Sequence, residues 1–231
     1  MIITDKLVYV HLHKSGGTFV NECLMRFIPG ARMLGYHLPS SMIPDNLGHL
    51  PLLGFVRSPW SYYVSWYAFQ SQMTYPNVLF RVVSKDRALD FHGTLRNLLD
   101  LGSDNDMLDK LVALLPKTYG NQGLNLPGFA LEPIRGSGKG LYSYLYGYMY
   151  GEREAEALVG RVENLRTDLL GFLASIEGAL SPPLRTFIEQ AEARNTSRHD
   201  AFRDYYNKEM AALVTERDQS VVEKFDYRFE D

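Results

Sequence analysis

The residues best suited to chemistry are Lys14-Ser15-Gly16-Gly17-Thr18, which stand between a short β-branched and aromatic run, Lys6–His13, and an apolar stretch that begins at Phe19. Two adjacent glycines let a backbone turn tightly and approach a ligand, while the first amides of a following helix point outward without intrahelical partners. Such a turn suits phosphate or sulfate, and Lys14 adds a mobile charge at the same point. A second candidate, Arg57-Ser58-Pro59, follows the apolar run Pro51–Val56. Arg57 offers a fixed fork of donors for another anion. Between the two turns lies Gly35-Tyr36-His37-Leu38-Pro39-Ser40-Ser41. With an unperturbed pKa of about 6.5, His37 would be mostly neutral at pH 7 and able to accept a proton.

The elements that must hold these residues follow a repeated order. Lys6–His13 predicts a strand, the glycine turn follows, and Phe19–Phe27 predicts a helix; Pro51–Val56 predicts a strand that leads through Pro59 into a helix from Trp60 to about Met73. Strand-then-helix units favour an α/β fold with a mainly parallel sheet, whose ligands collect beyond the carboxyl ends of the strands. A third strand is expected at 158–163, with helices near 166–176, 183–194 and 201–224. The stretch 86–115 is helical in pattern and broken at Gly102-Ser103-Asp104, and 119–139 is rich in Gly, Pro and Asn. Residues of about 76–140 therefore form an expected helical and loop insertion in a single domain spanning 1–231.

Composition removes several classes of function. The 231 residues carry 24 Lys and Arg against 27 Asp and Glu, a formal charge of −3, so no global basic field gathers nucleic acid. The single cysteine, Cys23, excludes an internal disulfide and a cysteine-built metal site, and its apolar neighbours predict a buried thiol. The amino-terminal residues lack the pattern of a secretory signal, and no apolar run approaches the ~18 residues of a membrane span. A soluble, cytoplasmic protein is the expectation. Tyrosine is unusually frequent, 15 against 12 Phe, and buried hydroxyls need hydrogen-bond partners. Either the core is polar or a wet aromatic site exists.

The turn at Lys14 is not a Walker A loop, because there the lysine follows the glycines. Arg135-Gly136-Ser137-Gly138-Lys139-Gly140 is closer in appearance, but it has Pro133 and Gly140 where the motif needs Gly and Ser or Thr, and no strand precedes it. It is read as a flexible basic loop from which Lys139 could touch a substrate. His11 and His13 share a strand face at i and i+2 and are read as packing or loop-orienting groups rather than a metal pair. Glu163 is a backup base. Asn195-Thr196-Ser197 formally matches a glycosylation sequon.

His11-Leu12-His13-Lys14-Ser15-Gly16-Gly17-Thr18-Phe19 resembles the 5′-phosphosulfate loop of sulfotransferases that use 3′-phosphoadenosine 5′-phosphosulfate (PAPS). Phe55-Val56-Arg57-Ser58-Pro59-Trp60, continuing to Ser65 and Tyr67, is similar to that family's 3′-phosphate motif. Arg57, Pro59, Ser65 and Tyr67 keep the spacing, whereas Ser58 and Tyr62 stand where the family carries Asp and a second Arg. Softer matches occur at 162–169, at Asn195-Thr196-Ser197-Arg198, at Tyr205-Tyr206 and at Phe225-Asp226-Tyr227. The resemblance is to the carbohydrate-type and bacterial sulfotransferases, similar to those acting on uronic-acid sugars.

The resemblance implies a P-loop-like three-layer sandwich with a central, mainly parallel sheet flanked by helices. It implies that Lys14, Ser15, Gly16, Gly17, Thr18 and Phe19 hold the 5′ end of PAPS. Arg57 and Ser65 would hold the 3′-phosphate, and Asn195, Ser197 and Arg198 would add nucleotide contacts. His37, in a position comparable to a catalytic histidine of that group, would be the base, with Lys14 at the bridging oxygen. No metal need take part, and the product would be adenosine 3′,5′-bisphosphate. The acceptor would be a carbohydrate or small hydroxylated molecule. The alternatives are a catalytically silent nucleotide- or glycan-binding relative and a P-loop phosphotransferase, which needs Mg²⁺ ligands that the sequence does not offer in a recognisable pattern.

The tyrosines fall in clusters. Tyr62, Tyr63 and Tyr67 share one expected helix, and Tyr142, Tyr144, Tyr146, Tyr148 and Tyr150 alternate. Alternation suits a strand with one tyrosine face, while the resemblance favours a helix. Tyr142 and Tyr144, beside Lys139, are candidates for stacking on the acceptor, against the plainer reading of a packing element.

Overall fold

Three of the apolar runs become the parallel part of a five-stranded sheet. In the computed structural model, which describes residues 1–120, 123–192 and 200–230, the strands are β1 (Ile2–Ile3), β2 (Val8–Val10), β3 (Arg32–Met33), β4 (Leu52–Val56) and β5 (Leu158–Arg161). Their order is β3-β1-β2-β4-β5. The sheet is mixed: β2, β4 and β5 run parallel, and β1 pairs antiparallel with both β2 and β3. The expected α/β class and parallel centre are present, and the antiparallel edge is an addition.

β2 is shorter than the run that predicted it. The Thr4 hydroxyl accepts from the amides of Lys6 and Leu7 at 3.0 and 2.9 Å, so Lys6 belongs to the turn after β1. At the other end, parallel pairing stops at Val10 opposite Gly54, which leaves His11 and His13 in the loop that follows the strand.

The chain divides into two compact units. The first comprises 1–57 and the described residues from 147 to 192, and it contains the whole sheet with α1 (Gly17–Phe27), α8 (Leu165–Ser175) and α9 (Pro182–Gln190). Period-two alternation sorts its strands: Tyr9, Leu53 and Phe55 face one cluster with Val20, Leu24, Leu169, Leu173, Leu184 and Ile188. On the opposite face Gly54 leaves room for Tyr150, whose hydroxyl occupies the space any added Cβ would need. Cys23 is wholly buried in that cluster, and burial pushes its thiol up to about 12, as an inert core thiol requires.

The second unit comprises 58–146 and 200–230, in the described residues. It holds α2 (Pro59–Gln72), α3 (Val78–Val83), α4 (Phe91–Leu99), α5 (Asn105–Leu114), α6 (Gly128–Leu131), α10 (Lys208–Arg217) and α11 (Gln219–Lys224). α7 (Leu141–Tyr150) starts in this unit and ends in the first. α2 carries aromatic and apolar residues on every side and is largely buried, with Trp60, Tyr62, Tyr63, Val64 and Trp66 all interior. Asn77, Asp90, Asp104 and Asn207 cap the helices that follow them, each side chain accepting from the amide three residues on. The single helix expected over 201–224 is instead a 3₁₀ turn at Phe202–Tyr205 followed by α10 and α11, because Asn207 caps a new start and Asp218 lies between the two helices.

The tyrosine alternation belongs to a helix, α7, and its hydrogen bonds favour a polar core over a wet aromatic site. Asp218, fully buried, accepts from the Tyr63 hydroxyl at 2.8 Å and from the Ser143 amide at 2.7 Å, so its carboxylate sits at the amino end of α7. The Tyr63 hydroxyl in turn accepts from the Tyr142 amide at 3.1 Å. Burial raises the Asp218 carboxyl to about 6 against these hydrogen bonds, which oppose the shift. Within the described residues no helix is long and apolar enough to cross a membrane.

Candidate functional site

The strand register decides where the candidate cations go. Val10 pairs with Gly54 and Val56 with Arg161, so the loop carrying Lys14, the turn carrying Arg57 and the end of β5 at Arg161 all leave the carboxyl edge of the parallel strands. Arg161, the last residue of β5, is a third cation at this edge, and it was not among the expected site residues. Burial, and then the positive charge of Arg57, hold the Lys14 ammonium down to about 8. Two cations near enough to repel mark a place where an anion is electrostatically favoured.

The loop itself is held in an unusual backbone conformation. Lys14 has φ of 55° and Gly16 of 73°, both left-handed, and only glycine takes that region without cost. Gly16 then caps α1, with its carbonyl accepting from the Phe19 amide at 3.2 Å, which leaves the amides of Gly17 and Thr18 ahead of the first helical bond. Gly17 answers a different need: a Cβ there would collide with His11 Nε2, so the imidazole fills the space a side chain would occupy. The Ser15 hydroxyl is buried and donates to the His13 carbonyl at 3.2 Å, bracing the loop from within. Thr18 is exposed, whereas Phe19 is in the core under the Arg166 guanidinium, 5.1 Å from its ring centroid.

His37 is brought to this loop. Its ring centroid lies 3.7 Å from that of His13 in a stacked pair 15° apart, and 4.5 Å from that of His11. Its Nδ1 lies 2.9 Å from the His11 carbonyl oxygen. A carbonyl can only accept, so Nδ1 carries the proton and Nε2 keeps its lone pair. Burial first, then repulsion that any protonation of His13 or His11 would add, keeps the His37 pKa well below its usual value, and the ring is neutral at pH 7. His37 has φ of 53°, a strained value for a non-glycine residue. The convergence of His11, His13 and His37 was not visible in the sequence beyond the i, i+2 spacing of the first two.

The remaining candidates are spread between core, surface and chain outside the described residues. Ser65 is on α2 and wholly buried. Tyr62 is buried with its ring stacked 4.0 Å from that of Tyr142. Tyr142 is thus interior, and Tyr144 is nearly so with its hydroxyl donating to the Ala130 carbonyl, so neither presents an open face to an acceptor. Lys139 is exposed in its loop. Asn195, Ser197 and Arg198 lie outside the described residues. Among the described residues no three His, Cys, Asp or Glu side chains are grouped to hold a metal ion.

No family model matches the chain, and no curated protein matches it.

Proposed function

We propose that the chain is a PAPS-dependent sulfotransferase of P-loop-like architecture, acting on a hydroxyl of a carbohydrate or small hydroxylated acceptor. The observation that carries this reading is the pair Lys14 and Arg57 at the carboxyl edge of parallel strands, with Lys14 directly before a glycine-led helix and Arg57 close enough to lower its pKa.

PAPS, when bound, supplies the sulfuryl group; the chain's own residues orient and neutralise. The amides of Gly17 and Thr18 and the Thr18 hydroxyl would take the 5′-phosphate, with Gly16 permitting the approach. Arg57 would take the 3′-phosphate. Lys14 would supply the positive charge that stabilises the leaving phosphate of such a donor. His37 Nε2 removes the acceptor's proton as the new oxygen–sulfur bond forms, a role worth roughly 10²–10⁴ in rate.

The low pKa of His37 makes it a weak base in the free protein, but one already in the neutral form throughout the physiological range. A second reading, a binding relative without transfer, is favoured by the full burial of Ser65 and by Tyr62, packed in a ring stack where the resembled motif has an arginine. Transfer of labelled sulfate from PAPS to a panel of sugars and phenols separates them. Activity that disappears in Lys14→Ala and in His37→Ala is expected; no transfer to any acceptor, with bisphosphate still bound, favours the second reading.

A further inference from the structure

His13 lies next to Lys14 in the chain and flat against His37 in space. The two contacts on His37 fix different things. The His11 carbonyl, 2.9 Å from Nδ1, fixes which nitrogen carries the proton. One hydrogen bond fixes a point on the ring but not its plane. The His13 ring, parallel within 15° at 3.7 Å between centroids, removes that remaining freedom by covering one face. His13 is itself 7% exposed and its carbonyl accepts from the buried Ser15 hydroxyl at 3.2 Å, so it is a firm wall.

We propose that His13 is a positioning residue: its ring fixes the plane of His37 and so aims Nε2 from the same loop that carries Lys14. The inference rests on the sulfotransferase reading for its catalytic consequence, but the positioning itself is a property of the free protein. Aiming of a base must hold to within a fraction of an ångström to be effective, and a wall one residue from the anion-binding lysine couples proton acceptor and anion cradle in one rigid segment.

Several groups among the described residues face His37. His11 and His13 come from the loop after β2, Tyr36 is its own neighbour with ring centroids 6.3 Å apart, and the Met1 amino group acts from just before β1. Burial holds His11 down to about 3, so it stays neutral in any working range. The charge of His13 lowers the His37 pKa. Replacing His13 by a flat, uncharged ring should keep the aim and move the acid limb of activity to higher pH.

The test compares His13→Phe with His13→Ala in the full chain and follows three readouts. In His13→Ala, kcat should fall roughly 10- to 100-fold, part of what a general base contributes, with adenosine 3′,5′-bisphosphate affinity within about threefold of the parent. In His13→Phe, kcat at pH 8 should stay within about threefold, and the acid limb of kcat should shift upward. Nitrogen NMR of labelled histidine in the unaltered protein should show His37 protonated at Nδ1, with its ring protons shifted upfield by the stacked ring, and the upfield shift should be lost in His13→Ala.

Unchanged kcat and pH profile in His13→Ala, or an Nε2-protonated His37 in the parent, overturns the proposal. The NMR spectrum of the parent decides the tautomer and the stacking without transfer activity and without stable variants. If the parent binds no bisphosphate but shows the expected His37 tautomer and upfield shift, the sulfotransferase reading fails while the positioning stands.

Discussion

Two regions of this protein bury polar groups, and they do so in opposite ways. Around Asp218 each group answers another: Tyr63 donates to the carboxylate, Tyr142 donates to Tyr63, and the Ser143 amide closes the set. Around Lys14 the groups are set against one another. Lys14 and Arg57 repel, three imidazoles crowd together, and Lys14, Gly16 and His37 hold left-handed backbone. The first arrangement is what a folded chain needs for stability. The second costs stability, and under the proposed function a bound anion would offset that cost, which is why the proposal places the chemistry at the loop rather than at the tyrosine cluster.

The largest expected effect is on the strained side. Lys14→Ala should lower sulfuryl transfer about 10³-fold, the scale of removing one preorganised charge from a transition state, and should leave the melting temperature unchanged or raised because a desolvated cation is gone. Steady-state kinetics and thermal denaturation check both halves. On the satisfied side the effect should be on stability alone. Asp218→Ala strands the Tyr63 hydroxyl and the Ser143 amide and should cost about 2–5 kcal/mol by denaturant titration, with bisphosphate binding intact at low denaturant.

Asp218 also gives a pH signature. Its folded pKa, about 6, lies above its ordinary 3.8, so its penalty is absent below the lower value and complete above the upper one. Stability should therefore decline by up to roughly 3 kcal/mol across that window, and Asp218→Asn should abolish the decline.

Gly17→Ala should cost roughly 1–3 kcal/mol, because the new methyl must expel the His11 ring that occupies its place. The same substitution should disturb His37 through the His11 carbonyl, seen as a changed imidazole resonance. The smallest effect is a proton linkage. A bound anion raises the Lys14 pKa from about 8, so binding takes up a proton above that pH. Bisphosphate affinity should then weaken by up to about tenfold per pH unit above pH 8, and calorimetry in buffers of differing ionisation enthalpy measures the uptake.

Much of the frame was legible in the sequence because it rests on local pattern. The runs at 51–56 and 158–163 are short and largely apolar, enough to name β4 and β5, although β5 stops at Arg161 because Val162–Asn164 form a 3₁₀ turn. β1 and β3 are two residues each and leave no period to read; they exist because tertiary pairing selects them. The glycine turn that leads into α1 was legible by residue type. The left-handed Lys14 and the filling of the Gly17 space by His11 were not, since both depend on how the loop closes in three dimensions. His37 is 26 residues from the carbonyl that sets its tautomer, and Asp218 is 155 from the tyrosine it binds. No spacing rule reaches across such separations. Tyr142 and Tyr144 show the converse: their chemistry suited a sugar face, but packing had already engaged them.

The measurement that bears most directly on the anion site is isothermal calorimetry of the full chain with adenosine 3′,5′-bisphosphate, run with EDTA and compared with ATP–Mg²⁺ and with Arg57→Ala. Metal-independent binding at micromolar or tighter affinity, weakened at least tenfold in Arg57→Ala and not matched by ATP–Mg²⁺, is the predicted result. Absence of bisphosphate binding, or preference for ATP–Mg²⁺, would contradict the assignment of Lys14 and Arg57 to a PAPS site.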